Sequence, residues 1–241
     1  KTAILLGGLM GLFVAVGSMW GQQGMITALL LGGMMNVVAF FFSDKIAIAS
    51  MQAREVTAET GGDYYRMVDD LRRRAGLPMP KVYICPHEAP NAFATGRSPR
   101  KAAVAVTQGL LRVLDRDELE GVIAHELAHI KNRDTLTSCI AATLAGVLAF
   151  IAQWGMLFGG GNRQGSNPLA MFLTIILAAV GAALIKAAIS RSREYVADAH
   201  AKELVGSPRG LISALQKIEG YSRRIPLVQP NPAQNNLFIV E

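Results

Sequence analysis

Long apolar blocks alternate along this chain with short, highly charged stretches. Residues 2–43 contain no charged side chain, about twice the ~20 residues that one membrane-spanning helix needs. The run is interrupted at Trp20-Gly-Gln-Gln-Gly24, which predicts a hairpin of two spans over 3–19 and 25–42. A cleaved signal peptide would be followed by a polar mature region, whereas here the second apolar block follows at once. Residues 135–162 are again uncharged, and a further apolar block from 168 is closed by Lys186, Arg191 and Arg193. These predict spans over 136–158 and 168–188, joined by a Gly-rich loop over 159–166.

The polar stretches carry shorter periodicities. Residues 53–75 predict a charged amphipathic helix with an apolar stripe of Tyr65, Met67, Val68 and Leu71, ended by Gly76-Leu-Pro-Met-Pro80. Strands are expected over 81–85, 92–95 and 102–107, the last two forming a hairpin through Gly96-Arg-Ser-Pro99. Asn91, Ala92, Phe93 and Ala94 form the candidate edge on which an extended peptide could add as a further strand. His87, between Pro86 and Pro90, is expected at the surface. Helices are predicted over 190–204 and 209–222, with irregular structure from 225 onward.

The central helix has the clearest signature. Asp115 and Glu118 have capping-box spacing, followed by Leu119, Val122, Ile123, Leu127 and Ile130 at core-facing intervals. His125 and His129 stand four residues apart, so a helix projects both imidazoles from one face. That geometry lets both bind one Zn²⁺, with Glu126 placed to take a proton from the attacking water. A hydrolytic zinc site needs a third protein ligand, expected on a downstream helix. Glu194 is the best candidate, with Glu203, Glu219 and His200 as rivals. Asp198, one turn beyond Glu194, is placed to accept the second N–H of a ligating imidazole. Tyr195 and His200 are candidate donors to the oxyanion of the transition state.

Composition narrows the function classes. Apolar residues make up 51% of the chain and charged ones only 17%, with a net charge of +6. The basic residues flank the apolar blocks rather than forming a patch interleaved with aromatics, which argues against nucleic acid and for a lipid bilayer. Their distribution puts both termini and the zinc-bearing segments in the cytoplasm by the positive-inside rule. The four apolar blocks lack Asp, Glu and His, which disfavours a metal transporter. Of two cysteines, Cys139 lies in a predicted span and Cys85 in a polar segment, so a disulfide is not expected. The chain thus divides into a transmembrane hairpin (1–43), a first cytoplasmic part (44–135), a second hairpin (136–188) and a second cytoplasmic part (189–241).

Taken together, His125-Glu-Leu-Ala-His-Ile-Lys-Asn-Arg-Asp134, Asn91-Ala-Phe-Ala-Thr-Gly96, Ala103-Val-Ala-Val-Thr-Gln-Gly-Leu-Leu111 and Ser192-Arg-Glu-Tyr-Val-Ala-Asp198 resemble the HtpX family over nearly the whole chain. These are bacterial inner-membrane zinc endopeptidases of stress-linked protein quality control, distantly similar to CAAX prenyl proteases. The resemblance implies a mainly α membrane protein with four transmembrane helices and a cytoplasmic α+β, gluzincin-like protease domain containing a small β-sheet. It implies one Zn²⁺ held by His125, His129 and Glu194, with Glu126 as the catalytic glutamate. It also implies cleavage of misfolded or damaged membrane proteins, alongside a membrane-bound ATP-dependent protease. The alternatives are a specific processing protease of the CAAX type and a non-catalytic, metal-stabilised membrane scaffold. Family members continue into a His-Pro-Pro-Thr-Glu-Glu-Arg-like segment that is not seen before Glu241, so the chain is expected to be trimmed.

Overall fold

A computed structural model describes residues 21–136 and 191–222, together with isolated positions at 7, 10, 11, 14 and 140. The chain divides into two compact units, Lys1–Ser43 with Thr137–Ala188 and Asp44–Leu136 with Ile189–Glu241. In the first unit the described structure is essentially one helix, α1 (Gly21–Ser50), which runs on into the second unit. The sequence predicts a span ending at 42, yet the helix continues through Asp44 and Lys45 to Ser50. No single helix among the described residues is long and apolar enough to cross a membrane, but Leu29–Val38 and Phe40–Ser50, bent by 58°, satisfy length and composition together. Nearly all of the predicted spans over 3–19 and 136–158, and all of 168–188, lie outside the described residues, as does the segment from 225.

The second unit holds a four-stranded sheet and the helices that carry the candidate chemistry. Its elements are β1 (Arg54–Val56), α2 (Gly62–Ala75), β2 (Lys81–Cys85), β3 (Ala92–Gly96), β4 (Ala102–Thr107), α3 (Gln108–Val113), α4 (Arg116–Asn132), α5 (Arg191–Val205) and α6 (Arg209–Ser222). The sheet order is β1-β2-β4-β3, with β2 and β4 parallel and both outer pairs antiparallel, so β3 is an edge strand.

Two predicted elements need correction. The helix expected over 53–75 begins only at Gly62, because Arg54–Val56 pairs with β2 instead. Gly62 has φ +53° and Gly61 packs so closely that an added Cβ would lie 2.7 Å from Tyr65 Cβ, which breaks the chain between strand and helix. The buried stripe of α2 is accordingly Tyr64, Val68, Leu71 and Ala75, with Tyr65 and Met67 only partly covered. The β3–β4 turn is also longer than expected, passing through a 3₁₀ turn at Pro99–Lys101. His87 is not simply a surface residue: it is half-buried, with its Nε2 3.0 Å from the Met51 carbonyl.

Every residue of β4 is buried, because both faces of the sheet are covered. On one face Val104 and Val106 meet Val68, Leu71, Val122, Ile123 and Leu127 from α2 and α4. On the other, the smaller Ala103 and Ala105 leave room for Met51, Tyr83, Cys85 and Phe93. The strand period of two thus assigns bulky residues to the helical layer and small ones to the opposite side.

Candidate metal centre

Helix α4 is positioned from both ends. Asp115 Oδ1 accepts a hydrogen bond from the Glu118 N–H, and Glu118 Oε2 accepts one from the Asp115 N–H, each at 3.0 Å, so the predicted capping box is complete. The same Glu118 side chain accepts from Ser213 Oγ and Lys217 Nζ of α6, both at 2.6 Å. At the far end Arg133 adopts the left-handed conformation (φ 58°) and its N–H returns to the carbonyls of the last turn. Thr135 Oγ1 then donates to the Gly96 carbonyl at 2.9 Å, tying the end of the helix to β3.

Between these anchors, three donor atoms from two helices converge. His125 Nε2 and His129 Nε2 are 3.1 Å apart, and Glu194 Oε2 of α5 lies 3.4 and 3.5 Å from them. A tetrahedral zinc with bonds of about 2.0–2.1 Å has its ligand atoms roughly 3.3 Å apart. The observed triangle therefore matches one face of such a polyhedron, and the three residues form a group able to hold a metal ion. Glu203 and Glu219 stand outside this group among the described residues.

Both imidazoles turn Nε2 toward the shared point and Nδ1 toward a carboxylate. His125 Nδ1 is 2.9 Å from Asp198 Oδ1, close but off the ring N–H direction. His129 Nδ1 is 3.6 Å from Asp134 Oδ2, and Asp134 Oδ1 in turn is 3.7 Å from Nε of the buried Arg193. The Asp134–Arg193 pair was not anticipated from sequence as part of the site. In the sequence Arg193 stands out only as a charge that closes the last apolar block, and Glu194 beside it faces the histidines.

The local field favours a cation. Burial alone would push the imidazole of His125 down, but Asp198, Glu194 and Glu126 outweigh it and raise the ring to about 9. Burial likewise opposes protonation of His129, and Asp134 with Glu194 raises that ring to about 10. Glu194 is held well below the ordinary carboxylate range by the two histidines. Glu126 behaves oppositely. It is only 5% exposed, and burial raises its carboxyl although the histidines and a hydrogen bond from the Ala94 N–H pull it back. That N–H belongs to β3, so the edge strand holds the glutamate directly. Tyr195 is 73% exposed on the turn that carries Glu194, and His200 is half-buried further along α5.

The β3 register divides the four candidate edge residues. The Asn91 carbonyl accepts from the Thr107 N–H and the Asn91 N–H donates to Thr107 Oγ1, each at 2.9 Å, and Phe93 pairs with Ala105 with its ring buried. Because the Ala94 N–H points to Glu126, strand alternation turns the peptide groups of Ala92 and Ala94 toward the helical side of the edge.

Comparison with known proteins now fixes the family. Residues 58–237 match the sequence pattern of peptidase family M48. The chain belongs to peptidase family M48, in its HtpX branch. A protease HtpX homolog of Nostoc punctiforme is 50% identical over 249 residues, covering 100% of this chain and 86% of that protein. Another, from Pyrococcus furiosus, is 50% identical over 246 residues and covers 100% and 85%. Among solved structures, Ste24p of S. mikatae superposes with a TM-score of 0.55 at 20% identity, over 98% of this chain. The chain spans only 60% of that protein's length, and the likeness concerns the fold. M48 members are metallopeptidases, so the chain is a peptide-bond hydrolase with an M48 peptidase domain, a Ste24-like fold and a small mixed sheet.

Proposed function

We propose that this chain is a membrane-integrated, zinc-dependent endopeptidase with its hydrolytic centre on the cytoplasmic side. In this reading His125, His129 and Glu194 hold one Zn²⁺, and the observation that carries it is the triangle of donor atoms with edges of 3.1, 3.4 and 3.5 Å. Bound zinc supplies Lewis acidity, lowering the pKa of water toward ~7 and polarising the scissile carbonyl. Glu126 accepts the proton of the attacking water and returns it to the departing amine, a role suited to a buried carboxyl whose proton affinity is raised. Asp198 and Asp134 orient the two imidazoles from behind. The Ala94 carbonyl is the edge-strand group to which an extended substrate pairs as an added strand, while the buried Asn91, Ala92 and Phe93 hold that strand in place. Tyr195, exposed beside Glu194, is free to swing toward the oxyanion, with His200 as the second candidate.

The uncharged runs at 2–43 and 135–162 and the block from 168 support four spans, which divide the chain into hairpins at 1–43 and 136–188 and cytoplasmic parts at 44–135 and 189–241. Likeness to the HtpX branch supports an inner-membrane location and misfolded or damaged membrane proteins as substrates, with a membrane-bound ATP-dependent protease as companion. The test is Glu126→Gln in purified, detergent-solubilised protein. Bound zinc is expected at the wild-type stoichiometry while cleavage of casein falls about 10²–10⁴-fold. Undiminished casein cleavage would remove Glu126 from the mechanism.

A further inference from the structure

Helix α5 turns a narrow stripe inward. Arg193, Ala197 and Ala201, at four-residue steps, are 8%, 0% and 1% exposed, whereas Glu194 and Asp198 beside them are half-exposed. Two of these three are alanines, so Arg193 is the only long side chain among them. A charge buried so deeply is costly unless it is paired, and an apolar side chain of similar length would fill the same space without that cost. Packing alone therefore does not account for an arginine here.

The guanidinium has one carboxylate in reach among the described residues. Arg193 Nε is 3.7 Å from Asp134 Oδ1, while Nη1, also buried, makes no hydrogen bond. Asp134 is itself only 18% exposed and divides its oxygens, Oδ1 toward Arg193 and Oδ2 toward His129 Nδ1 at 3.6 Å. Four carboxylates surround the centre, those of Glu126, Asp134, Glu194 and Asp198. Among the described residues, Arg193 is the only lysine or arginine paired with any of them. Consecutive residues of α5 thus grip the chain of α4 at two levels: Glu194 at the imidazoles, and Arg193 just beyond the left-handed cap at Arg133. Two such points fix both the rotation of α5 and its slide along α4, which a single contact cannot do.

We propose that Arg193 is a positioning residue of the metal centre: its buried guanidinium holds Asp134 against His129 and, through the adjoining peptide, fixes Glu194 at its distance from both imidazoles. The inference rests on the reading of His125, His129 and Glu194 as zinc ligands given above. Without the cation, Asp134 is freed to turn toward solvent, and His129 loses the acceptor that orients its ring. The charge of the side chain does this work, so a lysine, which lacks the planar fork but keeps the charge, substitutes in part.

The experiment uses the full chain in detergent and reads three quantities for each variant. They are zinc affinity against a competing chelator, the visible d–d absorption of the Co²⁺-loaded protein, and the unfolding midpoint of the metal-free protein. Arg193→Met is expected to weaken zinc binding about 10–100-fold, as loss of the groups behind a metal ligand does, and to alter the Co²⁺ spectrum. Arg193→Lys is expected to recover most of that loss. The double variant Arg193→Met/Asp134→Asn removes both charges, so its midpoint is expected to return toward that of wild type while its zinc affinity stays as low as that of Arg193→Met. Wild-type affinity and spectrum in Arg193→Met overturn the proposal and leave the zinc ligands standing. So does an Arg193→Lys variant no better than Arg193→Met, or a double variant whose affinity recovers with its midpoint, because either reduces the pair to packing. Should Arg193→Met not fold, the double variant decides: affinity about 10–100-fold down sustains the proposal, and wild-type affinity overturns it. Wild-type zinc affinity in Glu194→Ala overturns the metal centre itself, and the role of Arg193 with it.

Discussion

The two helices that supply the donor atoms are built differently. On α4, the side chains of His125 and His129 are 10% and 15% exposed, on a helix capped at one end and packed through its whole middle. On α5, Glu194 and Asp198 are 46% and 49% exposed and Tyr195 beside them more so. One wall of the centre is therefore fixed in the core, and the other stands at the surface. A buried, pre-set pair of imidazoles gives geometric selection, while a half-exposed carboxylate leaves room for a substrate to enter.

The strongest challenge to this contrast replaces one donor from each wall. His125→Ala and Glu194→Ala are both expected to lose stoichiometric zinc. Both lose the contact between Glu194 and the imidazoles in the metal-free protein, but His125→Ala should destabilise it further, by about 2–4 kcal/mol, because it also opens a hole in the core. Equal unfolding midpoints for the two metal-free variants would break the distinction. A smaller effect is expected one layer back. Asp134→Asn keeps the size of the side chain but weakens its hold on His129, so zinc affinity measured against a competing chelator should fall about 10–100-fold. Unchanged affinity would mean that Arg193 and Asp134 serve packing alone.

The smallest effect tests the anchoring of the fixed wall. Burial would raise the Glu118 carboxyl, but Lys217, Ser213 and the Asp115 N–H outweigh it and hold it below its ordinary value. A depressed carboxyl stabilises the fold above the unfolded-state value of ~4.3, and that stabilisation is lost as pH falls through the lower folded value. Glu118→Gln should therefore lower stability by about 1.5–3 kcal/mol at pH 7. The gap to wild type should close on acidification, as read from unfolding midpoints between pH 7 and 3. A gap that persists unchanged at pH 3 would exclude the ionised carboxylate as its source.

Much of α4 was legible in the sequence because its signals are local. The Asp115–Glu118 spacing, the core-facing period and the four-residue step between histidines all act within one helix. β3 was a candidate edge with no local signal to fix it there, and the strand order places it at the edge. β1 was missed because it spans three residues, two of them exposed and charged, and so shows no alternation of its own. The short α3 was missed because its cap, Thr107, is also the last residue of β4. Asp134 stands in the sequence only at the end of the His125–Asp134 motif, and Arg193 only as a charge closing an apolar block. Nothing local marks a contact between residues so far apart in the chain, and only the packing of α5 on α4 brings them together.

A single peptide N–H, that of Ala94, joins the proposed proton acceptor to the strand along which a substrate would lie. In the proposed mechanism, the ruler that measures out the polypeptide and the group that starts the cut are thereby one mechanical piece. A substrate that slipped along the edge by one residue would present the wrong face of its peptide bond to Glu126, so strand register would set the fidelity of the cut before any side chain is read.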